Sequence, residues 1–205
     1  MTGRAPVTRT ACAGIALSSG PLHAHGLGST VGYAQTLDSM GESVYSPAIL
    51  LVVAAFALMA GTSGTARSKQ ILIAFALGLL AGFPAAATLG PLGATACLIV
   101  GMLCALHAAA SLNLPRFVAR ILGFAAGAAA TIHNLDGHPL ASLPFATHLG
   151  VFLGPMLVAM ALTGWIGMIL QAAPQPPVRI IFRIFASWCF AANAIVTAFQ
   201  MKSGL

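Results

Sequence analysis

Apolar residues tile this chain almost without interruption from position 47 onward, and the breaks between the runs are short. A bilayer core about 30 Å thick needs about 20 apolar helical residues to cross it. Six segments meet that need: 47–61, 70–89, 92–111, 117–132, 147–170 and 179–200, of which the first and fourth are short and should extend into their flanks. No apolar–polar alternation recurs, which disfavours a β-barrel. Backbone polar groups in lipid must pair within their own segment, so all six are predicted as helices. The expected fold class is all-α: a polytopic membrane helix bundle of about six transmembrane helices.

Composition agrees with that pattern. Of 205 residues, 59% are hydrophobic and 6% are charged, with mean hydropathy +0.94. A soluble domain carries roughly 25% charged residues. The net charge of +6 comes from basic residues placed in pairs at the ends of apolar runs, with no basic block interleaved with aromatics, so nucleic acid is not an expected partner. The lipid bilayer is. Cys12, Cys97, Cys104 and Cys189 form no C-x-x-C pair and lie in a targeting segment or in predicted spans, where a thiol packs as a small apolar group.

The loops orient the bundle. Arg67 and Lys69 fall in the first connection, Arg116 in the third with Arg120 one turn on, and Arg179 and Arg183 follow the fifth; the second and fourth carry no basic residue. Basic loops face the cytoplasm. Loops one, three and five are therefore cytoplasmic, and the N-terminus is extracytoplasmic. Residues 1–24 read as a signal segment, with Arg4 and Arg9 ahead of a modest apolar stretch. Residues 25–46 then form an extracytoplasmic N-terminal segment, and 47–205 the six-helix membrane domain. Within 25–46, GYAQTLDSMGE suggests a short interfacial helix with Asp38 and Glu42 on one face. Three G-x-x-x-G pairs (Gly78/Gly82, Gly123/Gly127, Gly150/Gly154) allow close helix approach, chiefly within the chain.

Every acidic residue and five of the six histidines fall on the outer side of this topology. His133, Asp136 and His138 stand within six residues, and His148 opens the next span. Imidazole and carboxylate together suit Ni, Co, Cu or Zn. The same residues also make an ordinary solvated loop, and both readings stand on sequence alone. Asp38 and Glu42 would focus cations at the mouth, and His25 would join them if a cut after Ala24 made it the first residue. His107 lies alone toward the inner end of the third span, as a candidate inner station. His148, Phe152, Met156 and Met160 recur at steps of four, as a soft-ligand stripe or as packing. Asn193, Thr197 and Gln200 share a face suited to joining helices by hydrogen bonds. No P-loop, G-x-S-x-G elbow or H-E-x-x-H motif occurs, so no enzyme class is indicated. His133 and His148 would be the best-placed pair for a haem.

The signal-like start ending in LHAHG, the six spans, the stretch GFAAGAAATIHNLDGHPLASLP and the span opening THLGVFLGPMLVAMALTGW together resemble the HupE/UreJ family of small bacterial membrane proteins. The resemblance implies a multi-pass protein of the bacterial inner membrane that takes up nickel or cobalt. It carries over to His133 and His138; His148 rests on the residues themselves. Where that family has histidines ahead of its first span, this chain has Gln35 and Glu42. A non-catalytic subunit of a membrane complex, or a homo-oligomer, is the alternative that the glycine motifs allow.

Overall fold

The computed structural model describes residues 32–112, 115–135, 138 and 143–203. The expected segment 1–24, with His25 and Asp136, lies outside them. Seven helices follow one another: α1 (Tyr33–Tyr45), α2 (Pro47–Thr62), α3 (Thr65–Leu89), α4 (Gly93–Ala110), α5 (Arg116–Leu135), α6 (Phe145–Ala172) and α7 (Pro176–Ser203), with a single 3₁₀ turn at Gly90–Leu92. There is no strand among the described residues. Each of the six apolar runs has its helix.

By length and composition, Thr65–Ala110, Arg116–Leu135, Phe145–Ala172 and Pro176–Lys202 can cross a membrane, and α1 with α2 adds a fifth candidate bent by 79°. This is a multi-pass membrane protein. The 46-residue first stretch holds both α3 and α4, which run in opposite directions. Gly82 on α3 packs on Thr131 of α5, and Gly93 at the start of α4 packs on His133, so α3 ends where α4 begins. His107, near the end of α4, lines a cavity shared with Thr65 at the start of α3.

The breaks between helices have local causes. Ser46 is extended (φ −63°, ψ 125°), as the residue before a proline prefers, and Pro47 lacks the N–H that would continue α1 into α2. Pro91 also lacks an N–H, but Gly90 before it stays helical (φ −45°, ψ −51°), and α3 passes into the 3₁₀ turn. Gly64 turns the chain between α2 and α3 at φ +85°, where a side chain would be strained. Ser111 closes α4 in the left-handed region, its N–H directed back to Ala108 O. Both α3 and α6 run on through Pro84 and Pro155.

α2 is the central post. Eleven of its 16 residues are buried, and it touches every other helix. A helix apolar all round belongs inside. At 16 residues it is about 24 Å long, short of the hydrocarbon thickness. Its N-terminal extension does not carry it straight onward, because the Ser46–Pro47 corner turns α1 aside.

The glycine pairs are spent inside the chain. Gly78 and Gly82 face α5, and Gly123 and Gly127 face α3, so the two motifs interlock between parallel helices. Thr131 Oγ1 donates to Leu79 O across this contact (2.9 Å). Gly150 and Gly154 on α6 receive α1, whose buried face is Gln35, Ser39 and Ser43. α1 is thus a helix, as GYAQTLDSMGE suggested, and Asp38 and Glu42 are both exposed on it. It does not rest loosely at an interface: Gln35 Nε2 donates to Thr147 Oγ1 (3.2 Å), which ties it to the first turn of α6.

Candidate functional site

The bundle has a histidine end and a basic end. At the histidine end, His133 sits in the last turn of α5, with its Nε2 2.9 Å from Ser46 Oγ. That contact joins α5 to the corner between α1 and α2. His138 lies just beyond α5 and places Nδ1 2.7 Å from Leu135 O. His148, in the first turn of α6, places Nδ1 3.0 Å from Pro144 O, and its ring faces Phe83 at 5.4 Å. A carbonyl oxygen only accepts, so in both rings Nδ1 carries the proton. In the neutral ring Nε2 is then left with its lone pair. His148 Nε2 is buried without a partner among the described residues, beside an apolar groove of about 610 Å³ lined by Leu80, Phe83 and Phe152.

A backbone carbonyl holding the second nitrogen is the usual way a metal-ligating histidine is oriented. The donor count is smaller than expected, however. No group of three or more His, Cys, Asp or Glu able to hold a metal occurs among the described residues. Asp136, the expected carboxylate of the set, is outside them. Asp38 and Glu42 lie on α1, which packs along the same half of α6 as His148. The stripe from His148 divides: Phe152 and Met156 pack against the core, while Met160 is exposed near the far end.

At the basic end, a cavity of about 620 Å³ opens between the ends of α2, α4 and α6 and the starts of α3 and α7. Arg67, Lys69, Arg179 and Arg183 line it together with His107 and Thr163. Arg183 Nε donates to Ala109 O (2.8 Å), and Gln171 Nε2 donates to Thr65 Oγ1 (3.1 Å), bracing the rim. His107 and Thr163 are buried, at 7% and 3% exposure. Neither His107 Nδ1 nor Thr163 Oγ1 has a hydrogen-bond partner among the described residues. The expected inner cation station is therefore set among four cationic side chains, whose repulsion disfavours a divalent cation there. Sequence reasoning did not single out Thr163, Ser46 or the Gln35–Thr147 pair. Nothing local marks them, since each takes its meaning from a residue at least 80 positions away or from the cavity wall.

Asn193 departs from the expected helix-joining role. It is fully buried, but its Nδ2 donates to Cys189 O of its own helix (2.7 Å). Thr197 likewise donates to Asn193 O (2.7 Å). Asn193 instead fills the notch left by Gly101, where a Cβ would come within 2.5 Å of Oδ1. Cys97 and Cys104 are buried free thiols on α4, packed in the core as expected.

No family model, characterised protein or solved structure matches this chain.

Proposed function

We propose that this chain is a six-crossing protein of a bacterial inner membrane, akin to the HupE/UreJ family, that binds a divalent transition metal at its extracytoplasmic face. The observation that carries the reading is the pair of histidines, His138 and His148, each with Nδ1 on a backbone carbonyl and Nε2 left with its lone pair. His133 is at the same end of the bundle but has its Nε2 on Ser46 Oγ, and Asp136 joins the proposed donor set by its position in sequence alone. Six crossings with both ends of the bundle outside agree with the reversal of α3 and α4 and with the basic residues gathered at the opposite end. Binding and movement of an ion, rather than catalysis, is the role this supports. Inward movement needs a route that avoids the basic cavity, so His107 is not part of it in this reading.

The experiment is nickel and cobalt binding to the purified protein by calorimetry, with uptake of the same ions by cells expressing it. The His138→Ala/His148→Ala variant loses both, while His107→Ala keeps both. Undiminished binding in the double variant overturns the reading. The alternative of a structural subunit loses its expected contacts, because all three glycine pairs are occupied within the chain.

A further inference from the structure

We propose that the cavity at the basic end is a binding site for an organic phosphate, either a phospholipid headgroup or a soluble phosphate ester. It stands at the opposite end from His133, His138 and His148 and does not depend on the metal reading.

Four of the chain's nine basic residues converge on this one cavity: Arg67, Lys69, Arg179 and Arg183. They come from the starts of α3 and α7, more than 100 positions apart. Among the described residues that line the cavity there is no carboxylate. The three acidic residues of the chain are Asp38 and Glu42, on the helix that packs along the other half of α6, and Asp136, between α5 and α6. Charges of one sign within low-dielectric walls concentrate the opposite ion.

Charge alone would describe only a membrane-facing rim. The buried groups say more. His107 Nδ1 and Thr163 Oγ1 both belong to cavity-lining residues more than nine-tenths buried, and neither finds a partner among the described residues. Buried polar groups are nearly always hydrogen-bonded. A hydroxyl and an imidazole N–H are both donors that a phosphate oxygen accepts. Both are buried where Lys69, Arg179 and Arg183 are exposed, so a bound phosphate would meet charge on its outer side and neutral donors on its inner side. The first turn of α3 adds its N-terminal end, with no side-chain cap at Gly64.

The volume points to an ester rather than a bare ion. About 620 Å³ is in the range of small-molecule pockets and far exceeds one phosphate. The space extends beside α6: a Cβ added at Gly164 or Gly167 would meet no atom within 4 Å. Met160 and Met168 supply apolar wall for the organic part. Basic pockets between membrane helices are recognised sites for anionic headgroups.

The test uses the full chain, purified in an uncharged detergent, with glycerol 3-phosphate as probe and glycerol as control. The ester raises the unfolding temperature by about 5–11 °C at a hundredfold excess over Kd, and glycerol does not. In a second arm the protein is placed in phosphatidylcholine discs with and without phosphatidylglycerol. A response to the ester assigns a soluble ligand; a response to phosphatidylglycerol alone assigns a lipid headgroup. Lys69→Gln/Arg179→Gln weakens the response about tenfold in either arm, and Thr163→Val weakens it severalfold without changing charge. Gly164→Phe fills the cavity, keeps every charge and abolishes the response. The proposal falls if neither probe is bound. It falls equally if Gly164→Phe or Thr163→Val, with helicity matched to wild type by circular dichroism, responds as wild type does, since the anion would then sit only on surface charge.

Discussion

At the histidine end four glycines bring backbones together, whereas around the basic cavity three border open space and Gly61 alone among the described lining glycines packs closely, against Ile166. Gly82, Gly93, Gly150 and Gly154 each leave no room for a Cβ, with backbone of α5 or α1 in the way. Gly64, Gly164 and Gly167 have nothing within 4 Å. The histidines follow the same division. Two at the packed end have Nδ1 on a carbonyl at 2.7 and 3.0 Å, while His107 at the open end leaves Nδ1 unmatched in a cavity. If both proposals hold, one residue type serves opposite chemistries, a lone pair presented to a cation at one end and a donor presented to an anion at the other. Packing and neighbouring charge decide which.

The strongest way to break the contrast is to add bulk to each end. In Gly93→Leu, a Cβ would stand 2.6 Å from the Cα of His133, so two backbones must separate. We expect a loss of about 3 kcal/mol, seen as a fall in unfolding temperature of roughly 6–12 °C. A variant as stable as wild type would show that α4 and α5 are not in register there.

The next effect concerns the ligands. Removing both imidazoles in His138→Ala/His148→Ala should weaken nickel or cobalt binding about 100-fold, near 2.7 kcal/mol. The same measurement on His107→Ala should give the wild-type affinity. If His107→Ala also loses binding, the two ends are not chemically separate.

Gln35→Ala tests how firmly α1 belongs to the packed end. It leaves Thr147 Oγ1, in the buried first turn of α6, without its donor. The expected cost is about 1 kcal/mol, with faster proteolysis around α1. Unchanged protection would mean that Gly150 and Gly154 hold α1 unaided.

Gly164→Ala should have the smallest effect and the opposite sign. It sits in a helix interior with open space beside it, so the gain in helix propensity, about 0.5 kcal/mol, is not offset by a clash. A measurable destabilisation would contradict the open cavity.

The helices were legible in the sequence because each is a long apolar run closed by Gly, Pro or a basic residue, and those signals are local. Interlocking of Gly78/Gly82 with Gly123/Gly127 was legible as close packing, though its parallel sense was not. α1 read as a polar segment because its buried stripe is Gln35, Ser39 and Ser43. Small polar side chains on a glycine-faced partner look the same in sequence as solvated ones. Arg67, Lys69, Arg179 and Arg183 read correctly as one side of the bundle, yet as isolated markers of orientation. Their meeting around His107 depends on α2, α4 and α6 ending at one level, a property of the assembled bundle that no single segment encodes.

The burial of α2 bears on how the protein is made. This helix reaches the membrane before the other long helices, since it comes ahead of them in the chain, and among the described helices α1 alone precedes it. Its final surroundings are α4, α6 and α7, which a ribosome supplies afterward. A nascent chain stopped after α5 would hold an all-apolar helix with two of its walls missing. Such an intermediate is tolerable in lipid, where an apolar surface costs little, and would aggregate in water. Membrane insertion is thus the condition under which this order of helices can be synthesised at all, and a product truncated before α6 should be a substrate for membrane quality control rather than a stable fragment.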